Sequence, residues 1–376
     1  MGPMYQYRLS RTSRCGITRP REPLSHSPPR LVACPRQATP LSMYVFTSDH
    51  FVLPLPADHR FPMAKYAGLR KVVERVLPSH FLAEAPAVTD SQLAHAHSAA
   101  YLQAVLQGTL SPKAARRIGF PWSPALVARE RRSVGGTLAG ARAALVHGRG
   151  VNLAGGTHHA HPGQGGGFCL FNDAGVAIRT LQSEGLIERA MVVDCDVHQG
   201  DGTAVVFQGD ASVFTVSIHG AKNYPFRKPP SSLDVPLPEG TTDATYINAL
   251  EAALEQAFRA FSPDLVIYQS GVDPWEGDRL GTLALTTAGL LKRDQVVFGR
   301  CDREDVPVVV TMGGGYAPAI DDIVSLHAQT VFEALRDLWP ARTGHARASL
   351  SDRLPHSRDP RATPPSTSTI APANLL

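Results

Sequence analysis

The chain has only five cysteines in 376 residues, at positions 15, 34, 169, 195 and 301, and no two of them are spaced as CxxC. That excludes a cysteine-built zinc site and a disulfide framework, and it fits a reducing, cytoplasmic setting. No apolar run reaches the length that crosses a bilayer, so no membrane span is expected. The glycine run Gly163-Gln164-Gly165-Gly166-Gly167 is followed by no Lys-Ser/Thr pair and opens no GxGxxG pattern. It is therefore a poor phosphate cradle, and its glycines better serve close backbone approach to an extended substrate. A basic body is also missing. Residues 1–42 hold seven Arg and one Glu, and residues 340–376 hold five Arg and two Asp, so the formal +4 of the whole chain leaves about −5 on residues 43–339. An acidic body gives no support for direct nucleic-acid binding and weakly suits a cationic substrate.

The two ends share an Arg/Ser/Pro bias without apolar periodicity. Residues 1–42 read as a disordered extension or a mis-assigned start with Met43 as the true one, and residues 340–376 as a disordered tail. Arg-rich, acid-poor composition is also that of an organellar import segment, the minor reading of residues 1–42. Between them, residues 43–339 form one domain in which strands and helices alternate. Ser123-Pro124 opens a helix running to His147, Asn172 or Asp173 caps another that ends near Gly185, and Ile247, Leu250, Leu254, Phe258 and Phe261 mark a third. Strands are expected at Val151–Leu153, Ala190–Asp196, Ser212–Ile218, Leu265–Tyr268 and Val306–Met312. This order predicts an α/β domain with a central, mostly parallel sheet and helices on both faces, its site at the carboxyl ends of the strands.

The unusual polar residues fall at those ends. Asp194, Asp196 and His198 alternate along one predicted strand and so share a side, and Asp273 lies just past another. Asp196, His198 and Asp273 make an Asp/His/Asp ligand set, which suits zinc or ferrous iron with a position left for water. Any one of these alone is more often a capping aspartate or a packed histidine; their convergence reverses that reading. His158 and His159 are adjacent and each needs an orienting partner, which Asp194 and Asp201 can supply. Tyr316, after three glycines at a strand end, is placed to donate a hydrogen bond to a developing oxyanion. His80, His95, His97, His219 and His327 read as structural or surface residues.

Taken together, these residues resemble the zinc-dependent histone deacetylase family of the arginase–deacetylase superfamily over roughly residues 55–335. Glu276-Gly277-Asp278-Arg279-Leu280-Gly281 and Lys292-Arg293-Asp294 are most similar to its class IV branch. The resemblance implies Asp196, His198 and Asp273 as zinc ligands, His159 with Asp201 as general base, and His158 with Asp194 as the histidine that steadies charge at the leaving amine. It implies Tyr316 as the carbonyl-polarising group and Gly167, Phe168 and Phe226 as walls of a narrow channel for an acyl-lysine stem, with the Gly167 carbonyl accepting the substrate N–H. A structural potassium would be held by oxygens of Asp194, Asp196, His198, Ser217 and Ile218. The reaction implied is removal of an acetyl or longer acyl group from the Nε amide of lysine in a protein or peptide.

Two departures stand out. Gln199 occupies a position where many members carry a second histidine, and Leu280 stands where polyamine-specific relatives carry an acid. The competing readings are a same-fold hydrolase of small acylated amines, an arginase-type ureohydrolase with two manganese ions, and a non-catalytic acyl-lysine binding protein.

Overall fold

Among the described residues eight strands form one sheet in which every neighbouring pair is parallel. In this computed structural model the described residues are 44–56, 59–336 and 338. The expected extension 1–42, Met43 and the expected tail 340–376 lie outside them. The strands are β1 (Val45–Thr47), β2 (Leu82–Glu84), β3 (Arg149–Asn152), β4 (Ala190–Asp194), β5 (Val213–Gly220), β6 (Leu233–Leu237), β7 (Leu265–Gln269) and β8 (Val308–Thr311). Their order across the sheet is β2-β1-β3-β8-β7-β4-β5-β6.

The strands are apolar runs because both faces are covered, as a parallel sheet requires. Along β4, Met191 and Val193 enter one core with the helices Ala64–Val76, Asp243–Ala260, Thr287–Arg303 and Ile320–Leu335. Ala190 and Val192 enter the other, under the helices Pro124–His147 and Asp173–Ser183. Burying a valine or leucine side chain is worth about 1.5–3 kcal/mol, so alternation along five residues already fixes which way the strand faces. The long helix starts where its cap predicts: the Ser123 hydroxyl accepts the Leu126 N–H at 3.1 Å, and Gly148 closes the other end. Asn172 caps the next helix by accepting the Gly175 N–H at 2.7 Å.

One expected strand is shorter than its sequence implies. β4 stops at Asp194, and residues 195–200 form a loop. The Asp194 carboxylate accepts the Asp196 N–H at 3.1 Å, and the Asp196 carboxylate accepts the His198 N–H at 3.0 Å. Each aspartate thus captures a backbone donor two residues on and curls the chain away from the sheet.

Candidate active site

A polar row closes the apolar sheet. Asn152, Thr311, Gln269, Asp194 and Ser217 stand in register on β3, β8, β7, β4 and β5. Asp194 ends β4, Asp201 opens the short helix after it, and the loops leaving four adjacent strands, β3, β8, β7 and β4, carry the other side chains expected to do chemistry.

Asp196, His198 and Asp273 offer ligand atoms that all lie within 4.8 Å of one another. The His198 Nδ1 is 3.0 Å from an Asp196 oxygen and 3.1 Å from an Asp273 oxygen. Two main-chain donors fix the carboxylates: Val197 N–H to Asp273 at 2.9 Å, and Gly314 N–H to Asp196 at 2.8 Å. Gly314 has to be glycine, because a Cβ there would sit 2.0 Å from the Asp273 carboxylate. Burial and the Asp196 charge push Asp273 up to about 7. Burial works against charge on His198, but its bonds to Asp196 and Asp273 win and raise it to about 10. The cluster thus draws positive charge, and its hard-to-borderline donors fit a divalent cation. His198 is 12 % exposed while both aspartates are sealed, so the group opens to solvent on one side.

The two neighbouring histidines are held by different carboxylates. His158 Nδ1 lies 2.7 Å from Asp194, and His159 Nδ1 lies 2.6 Å from Asp201. Burial disfavours charge on both. At His158 the Asp194 and Asp196 charges outweigh it and raise the ring to about 9. At His159 the charge on His158 adds to burial, and the ring falls to about 4 despite Asp201. The surroundings thus favour the charged form of His158 and the neutral form of His159, the division a proton donor and a proton acceptor need. His161, which sequence reasoning passed over, bonds the second Asp201 oxygen at 2.8 Å. Burial would raise Asp201, but hydrogen bonds from His159 and His161 hold it well below the usual carboxylate range.

Tyr316 is buried, with its ring 6.4 Å from His198 and 6.2 Å from Phe168. Burial pushes its phenol well above the ordinary range, so the hydroxyl keeps its proton. Its backbone is clamped: Asp278 accepts the Tyr316 N–H at 2.6 Å, and Arg279 donates to the Tyr316 carbonyl at 2.9 Å. Gly167 and Phe168 pass beside His159 with φ of 53° and 64°. A Cβ on Gly167 would stand 2.5 Å from the His159 ring, so this turn tolerates only glycine. Phe168 is braced by Phe61 and Phe120 at 5.3 and 5.4 Å. Leu280 is half-buried and belongs to the same apolar cluster.

The expected opposite wall is corrected. Phe226 is 89 % exposed and faces solvent. Tyr224, two residues earlier, takes the inner place, its ring edge-on to His159 at 4.8 Å. Gln199 turns away from the cluster and donates to the Pro229 carbonyl and to Asp234 at 2.7 and 2.9 Å. Ser217 and Ile218 lie on β5 beside Asp194, where Ser217 contacts His219 at 3.0 Å.

Three supporting groups were not assigned to the site from the sequence, although Asp173 stood out as a cap candidate and Arg293 as part of a family-like motif. Asp173 accepts the Gly156 and Thr157 N–H groups at 2.9 and 2.8 Å and so anchors the loop that carries the histidine pair. Lys65 is buried, donates to the Gly313 carbonyl at 2.9 Å, and lies 5.8 Å from the Tyr316 ring. Burial lowers its ammonium to about 8 against the pull of Asp273 and Asp196. Arg293 is fully buried, pairs with Asp294, and donates to the Gly271 carbonyl at 2.5 Å, under the loop that presents Asp273. A cavity of about 510 Å³ beside Phe61 and Tyr66 touches none of the ligand or paired His and Asp side chains, though Phe61 and Arg279 line it as well as supporting the site.

These features find their counterpart among known proteins. Residues 59–334 match the histone deacetylase domain, and the chain belongs to that family of hydrolases, which act on acetyl-amide bonds. An uncharacterized protein of Picosynechococcus is 45% identical over 291 residues, covering 77% of this chain and 97% of its own. Histone deacetylase 2 of Arabidopsis thaliana is 37% identical over 189 residues, 50% of this chain and 49% of the plant protein, so the match spans about half of each. The crystal structure of an HDAC homolog complexed with SAHA superposes with a TM-score of 0.68 at 25% identity, covering 78% of this chain and 83% of that one.

Proposed function

We propose that the protein hydrolyses N-acyl-lysine amides, acetyl or longer, using a divalent metal held by Asp196, His198 and Asp273. The observation that carries this is the pair of adjacent histidines, each held through Nδ1 by its own carboxylate, Asp194 or Asp201, beside a buried Asp/His/Asp group that opens to solvent on one side. When bound, zinc (or ferrous iron, which the same donor set suits) supplies a Lewis acid and acidifies a water.

The chain's own groups would do the rest. His159, neutral and fixed through Nδ1 by Asp201, leaves Nε2 to take a proton from the attacking water. His158, charged and fixed by Asp194, steadies negative charge and returns a proton to the departing amine. The Tyr316 hydroxyl donates to the carbonyl oxygen as it gains charge. The Gly167 carbonyl accepts the amide N–H, and Phe168 and Tyr224 flank the lysine stem. Leu280, apolar among apolar neighbours, favours a lysine stem over a polyamine. A structural potassium is part of the proposal; oxygens of Asp194, Asp196, His198, Ser217 and Ile218 would hold it, and Asp194 and Ser217 are paired on adjacent strands. The buried free thiols Cys169, Cys195 and Cys301 suit a cytoplasmic, reducing setting.

Among the described residues no helix is long and apolar enough to cross a membrane. The test is mass spectrometry of lysine peptides bearing acetyl through myristoyl groups, with and without a hydroxamate chelator. Acyl loss blocked by the hydroxamate is expected. Intact peptides throughout, with turnover of acylated small amines instead, would replace lysine by a metabolite as the substrate.

A further inference from the structure

The body of the chain carries a net negative charge, yet the segments around the approach to His159 are cationic. Residues 108–120, 161–171 and 220–232 together hold six Lys and Arg and no Asp or Glu. Only Lys222 among them is in a salt bridge within the described residues, with Glu239 at 2.7 Å. Arg117 is placed against the wall of the site. Its carbonyl accepts the Gly167 N–H at 3.1 Å, and the next carbonyl, of Ile118, accepts the Phe168 N–H at 2.8 Å. Its side chain reaches over Gly166 opposite Tyr224: a Cβ on Gly166 would stand 3.5 Å from the Arg117 Cγ and 3.5 Å from the Tyr224 hydroxyl. The guanidinium is steadied by Gln164. Across this gap, Lys228 folds back onto the carbonyls of Asn223 and Pro225, at 2.7 Å each, and fixes the loop that exposes Phe226 and Arg227.

Asp201 and Asp234 pull on Lys228 and offset it in part, but among the described residues neither forms a salt bridge with Arg117 or Arg227. Asp201 is occupied by two histidines, and Asp234 is tied to Gln199 and the Ser231 N–H.

We propose that Arg117, with Arg227 and Lys228, is a specificity determinant that selects N-acyl amines carrying a carboxylate at the end left outside the site. The proposal rests on the reading of the site as an N-acyl-lysine hydrolase and names its substrate class. With the acyl amide at the metal group, the lysine stem places the substrate's α-carbon and its flanking residues against Arg117 and the 223–228 loop. A carboxylate there meets several cations at once, whereas a polyamine or a Lys/Arg-rich sequence meets like charge. Two sources share this chemistry: an acyl-lysine flanked by Asp or Glu, and free Nε-acyl-lysine through its α-carboxylate. Exposed charge pairs are individually weak and screened by salt, so the preference is modest and falls as salt rises.

The experiment measures kcat/KM, and by fluorescence anisotropy the affinity, for acetyl-lysine peptides with Asp/Glu, neutral or Lys/Arg flanks. Free Nε-acetyl-lysine and N-acetylputrescine are added to the kinetic panel, each at 50 and 300 mM salt. The acidic peptide is expected to exceed the basic one by about tenfold at low salt, the ratio shrinking at high salt. In R117E/R227E the order reverses or the ratio collapses to near one. Turnover of free acetyl-lysine equal to that of the acidic peptide assigns the carboxylate to the amino acid itself; a large peptide advantage assigns it to flanking residues. A wild-type ratio near one, or one the double variant leaves unchanged, overturns the assignment. If no substrate turns over, the hydrolase reading fails, and the binding ratio still decides the rim.

Discussion

Between pH 7.5 and 5, His97 alone is expected to remove about 2 kcal/mol of folding stability. His97 is 4 % exposed. Its Nδ1 donates to the His161 carbonyl at 3.1 Å, and its Nε2 accepts the Asn172 N–H at 2.9 Å. A ring with protons on both nitrogens cannot accept that bond. Burial accordingly lowers the ring from 6.5 to about 4, against the pull of the carbonyls of His161 and Pro162. Because the folded value is depressed, the unfolded chain binds more protons between about pH 6.5 and 4. The stability is complete above 6.5 and is lost as pH falls through that window. At pH 5 the unfolded histidine is almost fully protonated and the folded one about a tenth, which gives the figure of about 2 kcal/mol; the whole shift is worth about 3.

Function follows stability here. Asn172 caps the helix Asp173–Ser183 and also donates to the Ala160 carbonyl, next to the histidine pair. The assay is urea unfolding at both pH values for the wild type and His97→Gln, which cannot titrate. Other groups titrate alike in both proteins, so the wild type should lose about 2 kcal/mol more than the variant on acidification. Equal losses would refute the burial argument.

Tyr316→Phe should lower kcat by about a hundredfold or more with little change in KM, as the loss of one oxyanion donor does; unchanged turnover would remove that role. Gly167→Ala drives a methyl into the His159 ring and strains a left-handed turn, so kcat should fall at least about tenfold while far-UV circular dichroism stays native. Arg293→Met leaves Asp294 buried without its cation. It should cost about 3–5 kcal/mol in urea unfolding and speed metal loss to a chelator, while R293M/D294N recovers part of the stability. Chelation of the wild type should lower its melting temperature, because a ligand bound only by the folded state stabilises it; an unchanged melting point with the metal removed would contradict the cluster's electrostatics.

What the sequence made legible was what local chemistry encodes. The helix Pro124–His147 carries its own cap, proline and closing glycine, and the apolar strands are bounded by polar residues. That the histidine pair needs carboxylate partners, with Asp194 and Asp201 at hand, was legible from the residues. Which serves which came only from the family resemblance, and the structure pairs them that way. The β4 end was overrun for a physical reason: a two-residue repeat of aspartates looks like strand alternation, yet it also lets each carboxylate capture the backbone two residues on. Tyr224 and Phe226 are aromatic positions two apart in a loop without periodicity, and only the path of the loop chooses which ring faces inward. Lys65, on a helix rich in exposed cations, reads as a solvated residue until tertiary packing places it under Gly313. Net charge misled in a similar way, since an acidic body does not reveal a cationic rim.

The strand order has a further consequence for how the chain is made. β8 is the last strand among the described residues, yet it lies between β3 and β7 in the middle of the sheet. Until residues near 311 leave the ribosome, those two strands face an open slot with unpaired backbone and bare valines. Long-range parallel pairing of this kind is slow and prone to association between chains. The same late strand delivers Gly314 and Tyr316, so completion of the sheet and completion of the site are a single event. A chain that ends before β8 would lack both the central strand of the sheet and Tyr316.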